Sequence, residues 1–186
     1  MGPQAFWALL WGDAGQWREV RVDGTTCWIP CERPRPLIRL LAGASSAQVG
    51  PVSRSAQDTY ALAPSWVLWA RLERPGCADL LGRLPVGPTL VVREGRSSRR
   101  TALWALSRPL CGPWITRANE RLAHACQGRR GTADASALIG SPFTGSAYIE
   151  YESDQISTAR QIVGRLKDAP ATDGWKKDRD DWRQAA

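Results

Sequence analysis

Two rhythms of apolar and polar residues run along the chain and divide it. From Trp17 to Val22 apolar and charged residues alternate, the two-residue period of a strand with one buried face. Asp23-Gly24 then supplies a tight-turn pair, and Thr25–Pro30 reads as the returning strand of a hairpin. Ahead of them the apolar run Phe6–Trp11, closed by a turn at Asp13-Ala14-Gly15, reads as a further strand of a β-rich region covering residues 1–58. Pro34 and Pro36 precede Leu37–Leu41, which predicts a short helix with proline near its start. Residues 43–58, rich in Gly, Ser and Ala, read as a loop.

A second region follows over 60–150. Trp66–Leu72 is apolar except for Arg71 and predicts a central strand, and Cys77–Leu84, bounded by Pro75-Gly76 and Pro85, a short helix. Thr89–Arg93 and Thr101–Leu106 predict two strands joined by the loop 94–100. Trp114–Cys126 is the clearest helix: Ile115, Ala118, Leu122 and Ala125 recur at helical spacing, and Gly128 supplies a stop. Beyond it the pattern predicts a short helix over 132–139, a strand at Ala147–Tyr151 and an amphipathic helix at Ile156–Leu166. Residues 1–167 are expected to form one domain, with 168–186 a polar tail. No internal repeat is present, and no apolar run approaches the ~20 residues needed to span a bilayer.

Charge changes this picture more than composition does. The net charge of +7 is matched by residues 93–130 alone, where nine arginines face only Glu94 and Glu120. Such a concentration attracts polyanions, so DNA, RNA or a nucleotide's phosphates are the expected partners. The excess of arginine over lysine and the abundance of Ala, Gly and Pro also fit a GC-rich coding sequence. The clustering of arginine is therefore more informative than its number. The loop residues Arg96, Ser97, Ser98, Arg99 and Arg100 offer hydroxyl, amide and guanidinium donors to phosphate. A solvated hairpin loop is the simpler alternative. Arg117 and Arg121 are four apart on the predicted helix and share a face, which Arg129 and Arg130 extend.

Other chemistry is sparse. Cys27 and Cys31 have no second closely spaced pair, so no zinc site is expected, and His124, the single histidine, has no nucleophile signature near it. The run Phe6–Trp11 lacks a preceding basic region and does not read as a signal peptide. The five cysteines are accordingly expected to be reduced thiols in a cytoplasmic protein. Trp7, Trp11, Trp66, Trp69 and Trp104 fall in predicted strands and are assigned to the core. Trp175 and Trp182, in the polar tail, suggest docking to a protein partner.

Three ordered pieces carry a resemblance. The first is Val67-Leu68-Trp69-Ala70-Arg71-Leu72-Glu73. The second is Pro88–Val92, a Gly/Ser-containing loop, and Thr101–Leu110. The third is Ala118-Asn119-Glu120-Arg121-Leu122-Ala123-His124-Ala125. Together they cover about residues 60–146 and resemble the archaeo-eukaryotic primase superfamily, specifically the primase-polymerase-like domains of phages, plasmids and integrated elements. The resemblance implies an α+β fold, a mixed sheet with packed helices around an RRM-like core. It also implies a replication role and nucleotidyl transfer by two Mg or Mn ions held between carboxylates.

The chain departs from that pattern where the metals would bind. Arg71 stands at the first aspartate position, Glu73 at the second, Thr101 at the histidine position and Asp134 at the last acidic position. Arg71 is expected either to pair with Glu73, two residues away on the same strand face, or to replace a metal's charge and bind phosphate. The leading expectation is a nucleic-acid-binding replication protein with impaired catalysis and no resident metal. The alternatives are an active primase using Glu73 and Asp134 with Mg or Mn, and a protein-interaction module with no nucleotide ligand.

Overall fold

The computed structural model describes all residues except 13–14, 33, 75, 96–97, 129–131, 145–146 and 167–186. The predicted hairpin is present: β1 (Trp17–Val22) pairs antiparallel with β2 (Thr25–Pro30), and the turn puts both Asp23 and Gly24 at positive φ. The Asp23 carboxylate accepts from the Ser45 hydroxyl and the Ser46 N–H, which hold it below the usual carboxylate range.

The run Phe6–Trp11, expected as a strand, belongs instead to helix α1 (Pro3–Trp11). Proline at its start fits a helix. Phe6, Trp7, Leu10 and Trp11 fall on one side of a 3.6-residue period, and all four are buried. Helix α2 (Pro34–Ala42) follows the hairpin as its prolines predict. The expected loop 43–58 contains a short strand, β3 (Ala47–Val49), whose two end residues are buried. The expected helix at 132–139 is absent among the described residues. Asp134–Ser136 form a turn there, and β7 (Ile139–Gly140) pairs with β3. These strands make a first sheet in the order β2-β1-β3-β7.

The second sheet has the order β4-β6-β5-β8, from β4 (Ser65–Leu72), β5 (Leu90–Glu94), β6 (Arg100–Leu110) and β8 (Ala147–Glu152). A 3-10 helix (Cys77–Arg83) stands between β4 and β5. The predicted C-terminal helix divides into β9 (Ile156–Ser157), parallel to β6, and α4 (Ala159–Val163), which starts with a Thr158/Gln161 capping box. Alternate residues of β4 and β6 enter two cores. Val67, Trp69 and Leu103 pack toward the first sheet and α1. Leu68, Ala70, Leu72, Ala102 and Trp104 pack with Leu122 and Cys126 of the α3 region and with α4. Covering on both faces explains why these strands read as continuous apolar runs.

Strand β4, expected at the sheet's centre, is its terminal strand. Its free edge is closed by α3 (Pro113–Ala125). The Oδ1 of buried Asn119 accepts from the Trp69 main-chain N–H at 2.9 Å, and its Nδ2 donates to the Ala133 carbonyl at 3.2 Å. Asn119→Ala would leave both main-chain groups buried and unsatisfied. It is expected to cost about 2–3 kcal/mol of unfolding free energy in urea titrations.

Candidate nucleotide and nucleic-acid site

Strand β4 delivers Arg71 to the end of the second sheet, on the face turned toward the first. Arg71 lies opposite Thr101 of β6, and Thr101 lies opposite Val92 of β5. Glu94 is two residues beyond Val92 and so shares that face. The Arg71 guanidinium crosses over Thr101 to reach it, donating from Nη2 to Glu94 Oε2 at 2.9 Å. Glu73 is the more distant partner, its Oε1 lying 3.6 Å from Arg71 Nε. The expected pair with Glu73 is thus one side of a triad. The closer carboxylate comes from a strand two places away and 23 residues later in sequence.

The triad is tightly enclosed. A Cβ built on Gly140 of β7 would fall 2.9 Å from Glu94 Cγ, so the first sheet presses directly on this carboxylate. After α3 the chain passes over the other side, where a Cβ on Gly128 would lie 2.5 Å from the Arg71 carbonyl oxygen. Thr101 is fully buried between the two strands, and its hydroxyl has no hydrogen-bond partner among the described residues. The Ser98 hydroxyl donates to the Glu73 carbonyl at 3.2 Å, tying the β5–β6 loop to the end of β4.

These residues do not fit a two-metal centre. The carboxylates of Glu73 and Glu94 are engaged by a guanidinium, and one cation between two acids leaves little attraction for phosphate at Arg71. Asp134 is engaged elsewhere, its carboxylate accepting from the Ser136 N–H at 2.7 Å and from the Ser136 hydroxyl. Its charge also acts on Arg54, behind that of Glu19. Among the described residues no three His, Cys, Asp or Glu side chains group so as to hold a metal ion.

The remaining predicted phosphate ligands are dispersed. Arg100, adjacent to Thr101 on β6, projects from the opposite face of the sheet. Its Nη2 donates to Glu150 Oε1 at 3.0 Å and its Nε to Glu150 Oε2, while Arg93 Nη1 reaches Oε1 at 3.4 Å. The Arg100 hydrogen bond, foremost, holds the Glu150 carboxyl below its ordinary range and raises Arg100 in turn. Arg99 is exposed at the loop. On α3, Arg117 lies over the Trp114 ring at 5.0 Å, and Arg121 Nη1 donates to the Val163 carbonyl of α4 at 3.4 Å. Arg96, Ser97, Arg129 and Arg130 lie outside the described residues.

Three groups that pattern reading passes over are central to this arrangement: Glu94, Glu150 and the buried Arg54–Glu19 ion pair at 2.9 Å. Glu94 reads only as the first residue of the predicted loop 94–100, just past the strand Thr89–Arg93. Arg54 falls in what reads as a loop, with nothing to mark it as buried.

Two mainly antiparallel sheets, with α3 and α4 backing the second, make an α+β fold that is similar to those of solved primase-polymerase domains. The chain is similar to the primase-polymerase (PrimPol) AEP domain of cyanophage S-2L, with a TM-score of 0.62 and 12% identity over 81% of this chain and 88% of that one. It is also similar to the primase RepB′, with a TM-score of 0.53 and 13% identity over 78% of this chain and 53% of that one. The catalytic domain of primase RepB′ in complex with initiator DNA gives a TM-score of 0.55 and 12% identity over 78% and 80% of the two chains. No protein-family model and no curated protein matches the sequence.

Proposed function

We propose that the chain is a nucleic-acid-binding replication protein on a primase-polymerase fold whose nucleotidyl-transfer centre is impaired. The observation that carries this reading is the Arg71–Glu73–Glu94 triad, a guanidinium held between carboxylates at the strand end where the resembled superfamily places its metal ligands. A cation built into the chain competes with a divalent ion for the same oxygens. Support for nucleic acid as the ligand comes from the arginine-rich segment 93–130 and from the similar RepB′ domain bound to initiator DNA. The similar cyanophage domain favours a role in the replication of a phage or mobile element.

Primer synthesis from labelled nucleotides with manganese is expected to stay at background. Binding to DNA is expected to be measurable at low salt and to fall steeply as salt rises. Arg99→Ala should weaken binding on every sequence tested and reduce the slope of log K against log salt by about 0.7–0.9, one phosphate contact. Manganese-dependent primer synthesis that is lost in both Glu73→Ala and Asp134→Ala would establish the active enzyme instead.

A further inference from the structure

The face of the second sheet that carries α3 and α4 is covered over β4, β6 and Val91 of β5 but is exposed along β8. Tyr148 and Tyr151 of β8 are 48% and 49% exposed there. Residues three apart on a regular strand point to opposite faces. These two do not, because the β5–β8 register shifts between Val91 and Val92. Tyr148 lies opposite Arg93 and Tyr151 opposite Val91, and Arg93 and Val91 share a face. The bulge therefore turns both rings onto one side, the kind of re-aiming that bulges provide.

Arg100 extends the row, since it lies opposite Arg93 on the next strand. Glu150, between the two tyrosines, grips both guanidiniums and fixes their position. Asp79 of the 3-10 helix is a second carboxylate acting on Arg100. Arg93 and Arg100 stand against these two acids, while Glu94 is taken up by Arg71 on the other face. The aromatic surface is specific to tyrosine. Every tryptophan among the described residues is buried or half-buried, whereas all three tyrosines of the chain are exposed.

Exposed rings beside fixed guanidiniums form a stacking platform with an electrostatic rim, the arrangement that holds single-stranded nucleic acid. We infer that Tyr148 and Tyr151, with Arg93 and Arg100, form a binding surface for single-stranded nucleic acid on the β5–β8 margin. Unpaired bases stack on the two rings, and the backbone follows the arginines. A duplex cannot present its base faces to the rings, so single strands are the favoured ligand. This inference rests on the reading of the chain as a nucleic-acid-binding protein and gives that reading a location away from Arg71.

The test compares a fluorescent oligo(dT) with a duplex of equal length by anisotropy at low salt. Tyr148→Ala/Tyr151→Ala is expected to weaken oligo(dT) binding about tenfold or more and to change duplex binding less than about twofold. Tyr148→Phe/Tyr151→Phe, which keeps both rings, is expected to bind as the native chain does. An alanine variant with native thermal stability and native oligo(dT) affinity would overturn the platform and leave nucleic-acid binding in place. An equal loss in the phenylalanine variant would overturn stacking as its basis. Native protein that binds neither probe would overturn both this inference and the function on which it rests.

Discussion

Arg54→Met is expected to remove about 3–5 kcal/mol of unfolding free energy, measured by urea titration with tryptophan fluorescence. The Arg54 side chain is fully buried, and Glu19, its partner on β1, is almost so. Nη2 donates to Glu19 Oε2 at 2.9 Å and to the Ser136 carbonyl at 3.4 Å, while Nη1 donates to the Val52 carbonyl. The other Glu19 oxygen accepts from the Thr59 hydroxyl at 3.0 Å. The Arg54 main chain adds to this, exchanging hydrogen bonds with Trp17 in both directions. One residue thus joins β1, the segment after β3 and the turn at Asp134–Ser136. Burial pulls the guanidinium below its ordinary range, and the Glu19 hydrogen bond opposes that. Removing the arginine leaves a desolvated carboxylate with no cation, which dominates the cost. Arg54→Met/Glu19→Leu removes both charges. It should therefore lie within about 2 kcal/mol of the native chain, because apolar replacement of a whole buried pair is often close to neutral. A double variant as unstable as the single one would mean that packing, rather than the stranded charge, sets the loss.

Local pattern made much of the fold readable. The alternation in Trp17–Val22, the Asp23-Gly24 turn, the apolar strands around Arg71 and Trp104 and the helical spacing from Ile115 to Ala125 each have a physical period or turn requirement behind them. Phe6–Trp11 defeated that approach because a short apolar run satisfies either period, and burial on one helical side became evident only with the packing. The site was less legible for a different reason. Its key contacts are between Arg71 and Glu94, Arg100 and Glu150, and Arg54 and Glu19, separated by 23, 50 and 35 positions. Such pairs depend on strand order and register, which local spacing does not encode. One separation was nevertheless available from sequence. Arg100 and Thr101 are neighbours on one strand, so they project from opposite faces and a single groove could not use both. The bulge that aligns Tyr148 with Tyr151 has no such signal, since it arises from how β8 meets β5.

Removing the Arg71 guanidinium should have the second large effect, because it leaves more than two missing ion pairs behind. In Arg71→Met the carboxylates of Glu73 and Glu94 keep their places around a gap where their shared cation stood. Both side chains retain some contact with water, at 29% and 18% exposure, so the penalty falls below that of a fully buried charge. A loss of about 2–3 kcal/mol is expected in urea or thermal unfolding. Adding Glu94→Gln should recover more than half of it, the coupling characteristic of groups in direct contact. A cation supplied from solution should substitute in part. Millimolar manganese is expected to raise the melting temperature of Arg71→Met while leaving the native chain unmoved, since a ligand that binds only the folded form stabilises it. Loss of that response in Arg71→Met/Glu94→Gln would tie it to these oxygens and to no other site. If manganese stabilises the native chain as much as the variant, Arg71 does not act as the site's cation. The impairment of catalysis proposed for this fold would then lose its physical basis.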